Sequence, residues 1–177
     1  MADNESCFEM DSDPEVMRFI AVPWADDAAH KAFIEARTCG PHPFGQGYWT
    51  LRQKSEPQRF LGRILLMPLD AVGPDTEIGW RLRRDAWGAG FATEAARAVL
   101  EHAFTALGLA EVVADIHPEN TRSVRVAEKI GLLLRGRRPH QRQHHGRQRR
   151  GHDSECGGHR HRQCRSWSDN RDQSLII

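Results

Sequence analysis

Apolar residues recur along the first 134 positions with two periods, one typical of helices and one typical of strands. The helical period predicts helices over residues 12–21, 26–37, 93–107 and 121–130. Short apolar runs between turn residues predict strands over residues 48–53, 60–67, 77–83 and 111–116. The resulting order is two helices, a strand hairpin, and then strand–helix–strand–helix, which predicts a mixed α/β layer fold.

The apolar pattern stops near Leu134, and the charge changes at the same place. Residues 1–134 carry 14 Lys and Arg against 20 Asp and Glu, a net charge of −6. Residues 135–177 carry 11 Arg and 4 acids, a net charge of +7, together with six of the ten histidines. We therefore predict a folded domain over 1–134 and an Arg/His-rich tail over 135–177 that is either disordered or translated out of frame.

Composition also indicates where the chain resides. No run of about 18 apolar residues is present, so we expect no membrane span. The first residues lack the basic and apolar pattern of a signal peptide. The four cysteines are widely spread, unlike a secreted disulfide framework, and a cytoplasmic location is expected.

A glycine pair lies between the strand-like segment Glu77–Leu82 and the most regular helix of the chain. Gly88 and Gly90 have no Cβ, so the backbone can approach a ligand closely there. The free N–H groups of the following helix start would then point at an anion. This arrangement predicts a phosphate-binding loop, although a tight turn with close packing would use the same residues. The spacing is not that of a dinucleotide fingerprint, and no Gly-Lys-Ser/Thr follows it.

Four segments together resemble the GNAT superfamily of N-acetyltransferases, and most closely its RimJ/RimL-like branch. They are Ser12–Phe19, Trp87–Ala95, Asn120–Ser123 and Glu128–Gly131. The resemblance covers roughly residues 10–134 and implies an α/β fold, a GNAT-like mixed sheet with flanking helices. It also implies that the chain lacks the family's first strand and its last two strands, because residues 1–11 and 135–177 have no alternating apolar run.

The resemblance implies acetyl-CoA as the co-substrate and an amine as the acceptor. In the family, one strand pairs with the pantetheine arm, the loop amides bind the pyrophosphate, and an asparagine contacts the cofactor near its thioester. The matching residues here are Trp80, Arg81, Leu82, Gly88, Ala89, Gly90, Phe91, Ala92, Thr93 and Asn120. Ser123 is a weaker candidate in the same helix as Asn120.

The expected reaction is attack of a neutral primary amine on the thioester, which requires removal of a proton. Glu77 is the candidate base because it begins the strand that flanks the thioester in the family, and Asp115 is a lesser candidate. The family's tyrosine acid corresponds to Ala127 here, and the single tyrosine, Tyr48, lies on another element. No general acid is therefore identified.

The tail raises two further hypotheses. Its charge suits sequence-independent contact with nucleic acid or another polyanion, although nucleic acid is not favoured as a partner. Cys156, His159, His161 and Cys164 have metal-like spacing, but the two histidines are too close for good tetrahedral closure, and no metal is predicted. The alternative function is a non-catalytic acetyltransferase-like scaffold whose basic tail binds a polyanion. The oligomeric state and the acceptor's identity stay open.

Overall fold

Three antiparallel strands form most of the sheet: β1 (Gly47–Gln53), β2 (Glu56–Pro68) and β3 (Thr76–Leu82). In this computed structural model, which describes residues 2–20, 24–69, 73–133 and 174–176, β2 pairs with both neighbours. The predicted hairpin and third strand are confirmed, and β2 is longer than predicted at both ends. The mixed α/β fold with flanking helices is likewise confirmed.

A short strand from the tail, β4 (Ser174–Ile176), pairs in parallel with β1 and gives the order β3-β2-β1-β4. We did not expect a strand in the tail. It coincides with Leu175 and Ile176, which are among the few apolar residues there. The rest of the predicted tail, including its cysteines and its metal-like spacing, lies outside the described residues.

The segment 111–116 does not form the predicted strand. Only one parallel bridge, between Glu77 and Val113, joins it to β3. The Ile78 N–H donates to the Val113 carbonyl at 2.8 Å, and the Val113 N–H donates to the Thr76 carbonyl at 2.9 Å. The apolar run is still used, because Val112 is buried against the core. Its backbone separates from β3 after this bridge, so no regular ladder forms.

Three helices follow the predicted periodicity and caps: α3 (Asp27–Cys39), α4 (Phe91–Thr105) and α5 (Thr121–Lys129). Asp26 caps α3 by accepting a hydrogen bond from the Ala29 N–H at 2.8 Å. Helix α4 lies on one face of the sheet, and its buried residues join the core that β2 and β3 form. This core contains Ile64, Leu66, Ile78, Ala95, Ala96, Val99, Leu100 and Ala103.

The chain begins differently from the prediction. Residues 12–21 were expected to form one helix, but the structure has α1 (Ala2–Asp11) followed by the single turn α2 (Pro14–Met17). Asp13 separates the two helices, because its side chain caps α2 and Pro14 cannot continue α1. No strand is present among residues 2–20, in agreement with the expected lack of the first strand.

Helix α1 is fixed to the sheet by a buried ion cluster. Arg63 of β2 and Arg81 of β3 are directly opposite each other, and the Asp11 carboxylate lies between them. Its oxygens are 2.9 Å from Arg63 Nη2 and 2.7 Å from Arg81 Nη1, and the Asp11 side chain is fully buried. Burial and the nearby charge of Arg63 lower the pKa of Arg81, while Asp11 opposes that shift. The carboxylate thus keeps two like charges together in the interior.

We expect Asp11→Asn to destabilise the fold by about 3–5 kcal/mol, because it leaves two buried guanidinium groups without a counter-charge. Urea denaturation would measure the loss. Asp3→Asn is the matched control. Asp3 lies on the same helix as Asp11 and pairs with Arg52 of β1, but it is partly exposed, so its substitution should cost about 1 kcal/mol or less. Equal, small effects of the two substitutions would contradict this role of Asp11.

Cys7 lies beside this cluster and is buried, whereas Cys39 is exposed. Burial raises the pKa of the Cys7 thiol, the charge of Arg63 lowers it, and that of Asp11 raises it further. Because the thiolate is the reactive form, iodoacetamide should modify Cys7 at least about tenfold more slowly than Cys39 in the folded protein. Peptide-resolved mass spectrometry would measure both rates, and addition of urea should make them similar. Equal rates without urea would show that Cys7 is accessible.

Candidate functional site

The connection from β3 to α4 is an exposed loop whose shape depends on two glycines. A 3₁₀ turn, Arg84–Ala86, leads into Trp87, and Gly88 and Gly90 then adopt positive φ angles of +80° and +89°. Residues with a side chain rarely adopt such angles. A Cβ added at either glycine would meet nothing within 4 Å, so the protein's own packing does not demand glycine there. Glycine is favoured at these two positions by the backbone angles and not by lack of room, and the space beside both residues is open.

This loop presents a series of unpaired backbone donors. Within the described residues, the N–H groups from Gly88 through Ala92 donate no hydrogen bond to the protein, whereas Thr93 and Glu94 donate to the Gly90 carbonyl. Helix α4 begins at Phe91 without a side-chain cap. Its dipole adds partial positive charge at the same place. These donors could bind an anion with several oxygens. The predicted anion-binding role of residues 88–93 stays a prediction, and within that range the Thr93 N–H is already bonded to the Gly90 carbonyl.

The outer edge of β3 is open beside the loop. Ile78 donates towards Val113, and because strand residues alternate, the backbone groups of Trp80 and Leu82 face the same outer side. The chain separates there after the single bridge at Val113, and no described residue pairs with the N–H or carbonyl of Trp80. The backbone of Arg81 faces β2 instead, and its side chain pairs with Asp11.

Trp87 and α5 border this open edge. The Trp87 indole N–H donates to the Leu82 carbonyl at 2.9 Å, which ties the loop to the end of β3. The Arg122 guanidinium lies over the Trp87 ring, 4.6 Å from its centre. Asn120 caps α5 by accepting a hydrogen bond from the Ser123 N–H at 3.2 Å. The predicted cap is confirmed, while the predicted contact of Asn120 with a cofactor stays a prediction.

The proposed acid–base residues occupy different environments. Glu77 is half-buried at the bridge with Val113, and by strand alternation its side chain lies on the same sheet face as that of Arg81. Asp115 is exposed. Tyr48 is buried on β1, where its hydroxyl accepts a hydrogen bond from Arg37 at 3.2 Å. Of these three residues, Glu77 is the one that belongs to β3.

Sequence reasoning missed the charged side chains around the loop. A cleft of about 660 Å³ is lined by Glu15, Arg84, Trp87, Gly88 and Arg122. These residues come from α2, the 3₁₀ turn, the loop and α5, so only the fold brings them together. Arg122 is two positions beyond Asn120, a predicted site residue, and this proximity was the sequence feature that could have indicated a role for Arg122 in the site.

The described residues contain neither a helix suited to crossing a membrane nor a cluster suited to binding a metal ion. No helix in ranges 2–20, 24–69 and 73–133 is long and apolar enough to cross a membrane. In the same part of the chain, no three His, Cys, Asp or Glu side chains are grouped so that they could hold a metal ion.

Comparisons with known proteins agree with this architecture. A sequence profile described as "Acetyltransferase (GNAT) domain" matches residues 1–133. An Aspergillus fumigatus protein named FsC-acetyl coenzyme A-N(2)-transacetylase is 33% identical over 137 residues, which is 72% of this chain. The match spans 57% of that protein, so this chain corresponds to little more than half of its length.

Solved structures give the same result for the fold. A GNAT-family acetyltransferase from Bacillus anthracis is 27% identical, with a TM-score of 0.60 and coverage of 76% of both chains. The spermidine N-acetyltransferase from Vibrio cholerae, solved with CoA and spermine, is 16% identical with a TM-score of 0.62. It covers 76% of this chain and 78% of its own, and at this identity it shows a shared fold only.

Proposed function

Because this chain belongs to the GNAT family of acetyltransferases, we propose that it transfers an acetyl group from acetyl-CoA to a primary amine. The observation that carries this proposal is the run of five N–H groups, Gly88 through Ala92, that find no partner among the described residues and lie beside the edge of β3. The acceptor is a protein N-terminus or a small-molecule amine. The alternative of a non-catalytic scaffold is not favoured by the family match or the named relative.

The residues present fit acetyl-CoA in two respects. A pyrophosphate has several oxygens that need donors, and the amides of Gly88 through Ala92 supply them at a helix start. A pantetheine arm carries amides that can pair with a strand edge, and Trp80 offers there an N–H and a carbonyl that no described residue pairs with. In this proposal Leu82 adds its N–H to that edge, and Arg81 acts through its ion pair with Asp11 rather than through its backbone.

The proposed reaction is direct acyl transfer. The amine nitrogen forms a bond to the thioester carbonyl carbon, the carbon–sulfur bond breaks, and CoA leaves as the thiolate. The amine must lose a proton, which Glu77 accepts in this proposal directly or through water. Ala127 cannot donate a proton to the thiolate, and Tyr48 is held by Arg37, so in this scheme solvent protonates the leaving group.

Charge favours a cationic acceptor. Residues 1–134 carry a net charge of −6, which would attract an ammonium group before it is deprotonated for attack, whereas the net charge of +7 on residues 135–177 acts against that attraction. The named activity of the Aspergillus relative, transfer from acetyl coenzyme A to an N(2) position, supports a nitrogen acceptor. We further propose that the chain belongs to the RimJ/RimL-like branch, on the basis of Trp87 at the head of the loop.

Calorimetry with acetyl-CoA and desulfo-CoA tests the cofactor site, and Gly90→Ala provides a defined variant. We expect micromolar binding by the native chain and about tenfold weaker binding by Gly90→Ala, because the substitution disfavours the φ of +89° and adds a methyl group where the cofactor approaches. Gly108→Ala is the matched control. Gly108 lies at the other end of α4 with a φ of +64°, so it should lose similar stability, about 1–2 kcal/mol, but no affinity.

No binding of either nucleotide at high micromolar concentration would contradict the enzyme proposal for this chain. Equal weakening by the two glycine substitutions would show that general destabilisation, rather than the loop, controls affinity. Thermal unfolding of each variant separates these outcomes.

We expect Glu77→Gln to lower kcat by about 10²–10⁴ with little change in acetyl-CoA affinity, because it removes the proposed base and keeps the side chain's shape. Thiol release from acetyl-CoA, measured across a panel of amines and pH values, gives the rates. Asp115→Asn is the comparison variant and should keep nearly native activity. Retention of most activity by Glu77→Gln would rule out Glu77 as the base.

A further inference from the structure

The cleft beside the loop has cationic side chains that the proposed pyrophosphate contacts do not use. Arg84 and Arg122 both line it, one from the 3₁₀ turn and one from α5. Both side chains are exposed at the cleft, and Gly88 contributes the adjoining backbone. The cleft volume of about 660 Å³ is sufficient for a nucleotide-sized group.

The two arginines are held in position by their neighbours. Arg122 stacks over the Trp87 ring at 4.6 Å, and this cation–π contact leaves the edge of the guanidinium free to donate hydrogen bonds. The Arg84 Nε lies 3.1 Å from an oxygen of Asp13, so the remaining nitrogens of its guanidinium can reach another anion. Arginine suits a phosphate group in particular, because its planar fork of donors matches two phosphate oxygens.

The cofactor in the proposed function carries three phosphate groups, of which the loop amides account for two. The third is the monoester on the 3′ position of the ribose. A phosphate monoester bears close to two negative charges near pH 7, more than either group of the pyrophosphate, and arginine pairs best compensate such charge. Gly88 is both the first residue of the amide series and part of the cleft wall, so the two sites adjoin.

We infer that Arg84 and Arg122 bind the ribose 3′-phosphate of the acyl-CoA donor and make the protein selective for CoA over dephospho-CoA. This inference rests on the proposed function. Glu15 also lines the cleft, 3.9 Å from Arg18, and its carboxylate opposes the binding of a phosphate there. The two arginines therefore attract the 3′-phosphate, and Glu15 repels it. Removing an arginine should weaken the preference for CoA, whereas removing the Glu15 charge should strengthen it.

The experiment measures the ratio of the dissociation constants of dephospho-CoA and CoA by calorimetry. We expect CoA to bind at least about tenfold more tightly, in line with charge-assisted hydrogen bonds. Arg84→Gln and Arg122→Gln should each reduce the ratio about threefold or more, and the double variant should bring it close to one. Glu15→Gln should raise the ratio. Lys31→Gln on α3 removes one positive charge elsewhere and should leave the ratio unchanged.

Three outcomes separate the two proposals. If both nucleotides bind equally to the native chain, or if the double variant keeps the native ratio, the 3′-phosphate inference is wrong and the proposed function stands. If neither nucleotide binds, the proposed function fails and the inference fails with it. Because only the ratio is compared, a variant with lower stability still gives a valid test once its folded state is confirmed by circular dichroism.

Discussion

The Asp11 carboxylate, placed between Arg63 and Arg81, is the interaction on which the remaining structure depends. Two arginines opposite each other on neighbouring strands repel, and burial increases that repulsion because water no longer screens it. The carboxylate makes the arrangement tenable and joins three elements at one point: α1, β2 and β3. Cys7 and His30, which surround the same carboxylate, complete a polar centre on the sheet face opposite α4.

That cluster also determines what β3 can present to a ligand. The strand is held on its inner edge by β2 and through the Arg81 side chain by α1. Within the part of the chain that the structure describes, its outer edge is bridged once, at Val113, and is then open as far as the loop. Because β2 and α1 hold the strand in place, the backbone groups on its outer edge keep a defined position. An extended ligand can pair with a strand edge only if those backbone groups are held in this way.

The loop adds a second element of preorganisation. Its glycines hold positive φ angles while the Trp87 indole ties the loop to the last carbonyl of β3. The unpaired amides and the open edge therefore form one continuous surface, and the charged cleft adjoins its end at Gly88. Local backbone geometry provides the amides, whereas the side-chain charges around them come from residues that are distant in sequence.

The sequence by itself determined the features that depend on local spacing. The period of apolar residues located the hairpin, β3 and α4, and Asp26 and Asn120 cap helices where their local chemistry predicted. The loop glycines lie between β3 and α4, as their place in the sequence indicated. These features could be found because a cap or a glycine turn involves residues only a few positions apart. The apolar pattern alone did not predict the structure of residues 111–116 correctly, because a strand also needs a neighbouring strand to pair with along its length.

Only the tertiary structure decided which distant residues meet. Asp11 and Arg63 are 52 positions apart, and no periodicity relates them. Helix α1 buries Cys7 and Met10 in a small apolar cluster, and its ion pairs reach partners on strands that are distant in sequence. Arg84 and Arg122 likewise become neighbours of one cleft only when α5 packs beside the loop. The energy of a Coulomb interaction depends on the distance between two charges in space. For residues far apart in sequence, that distance is set only when the chain folds.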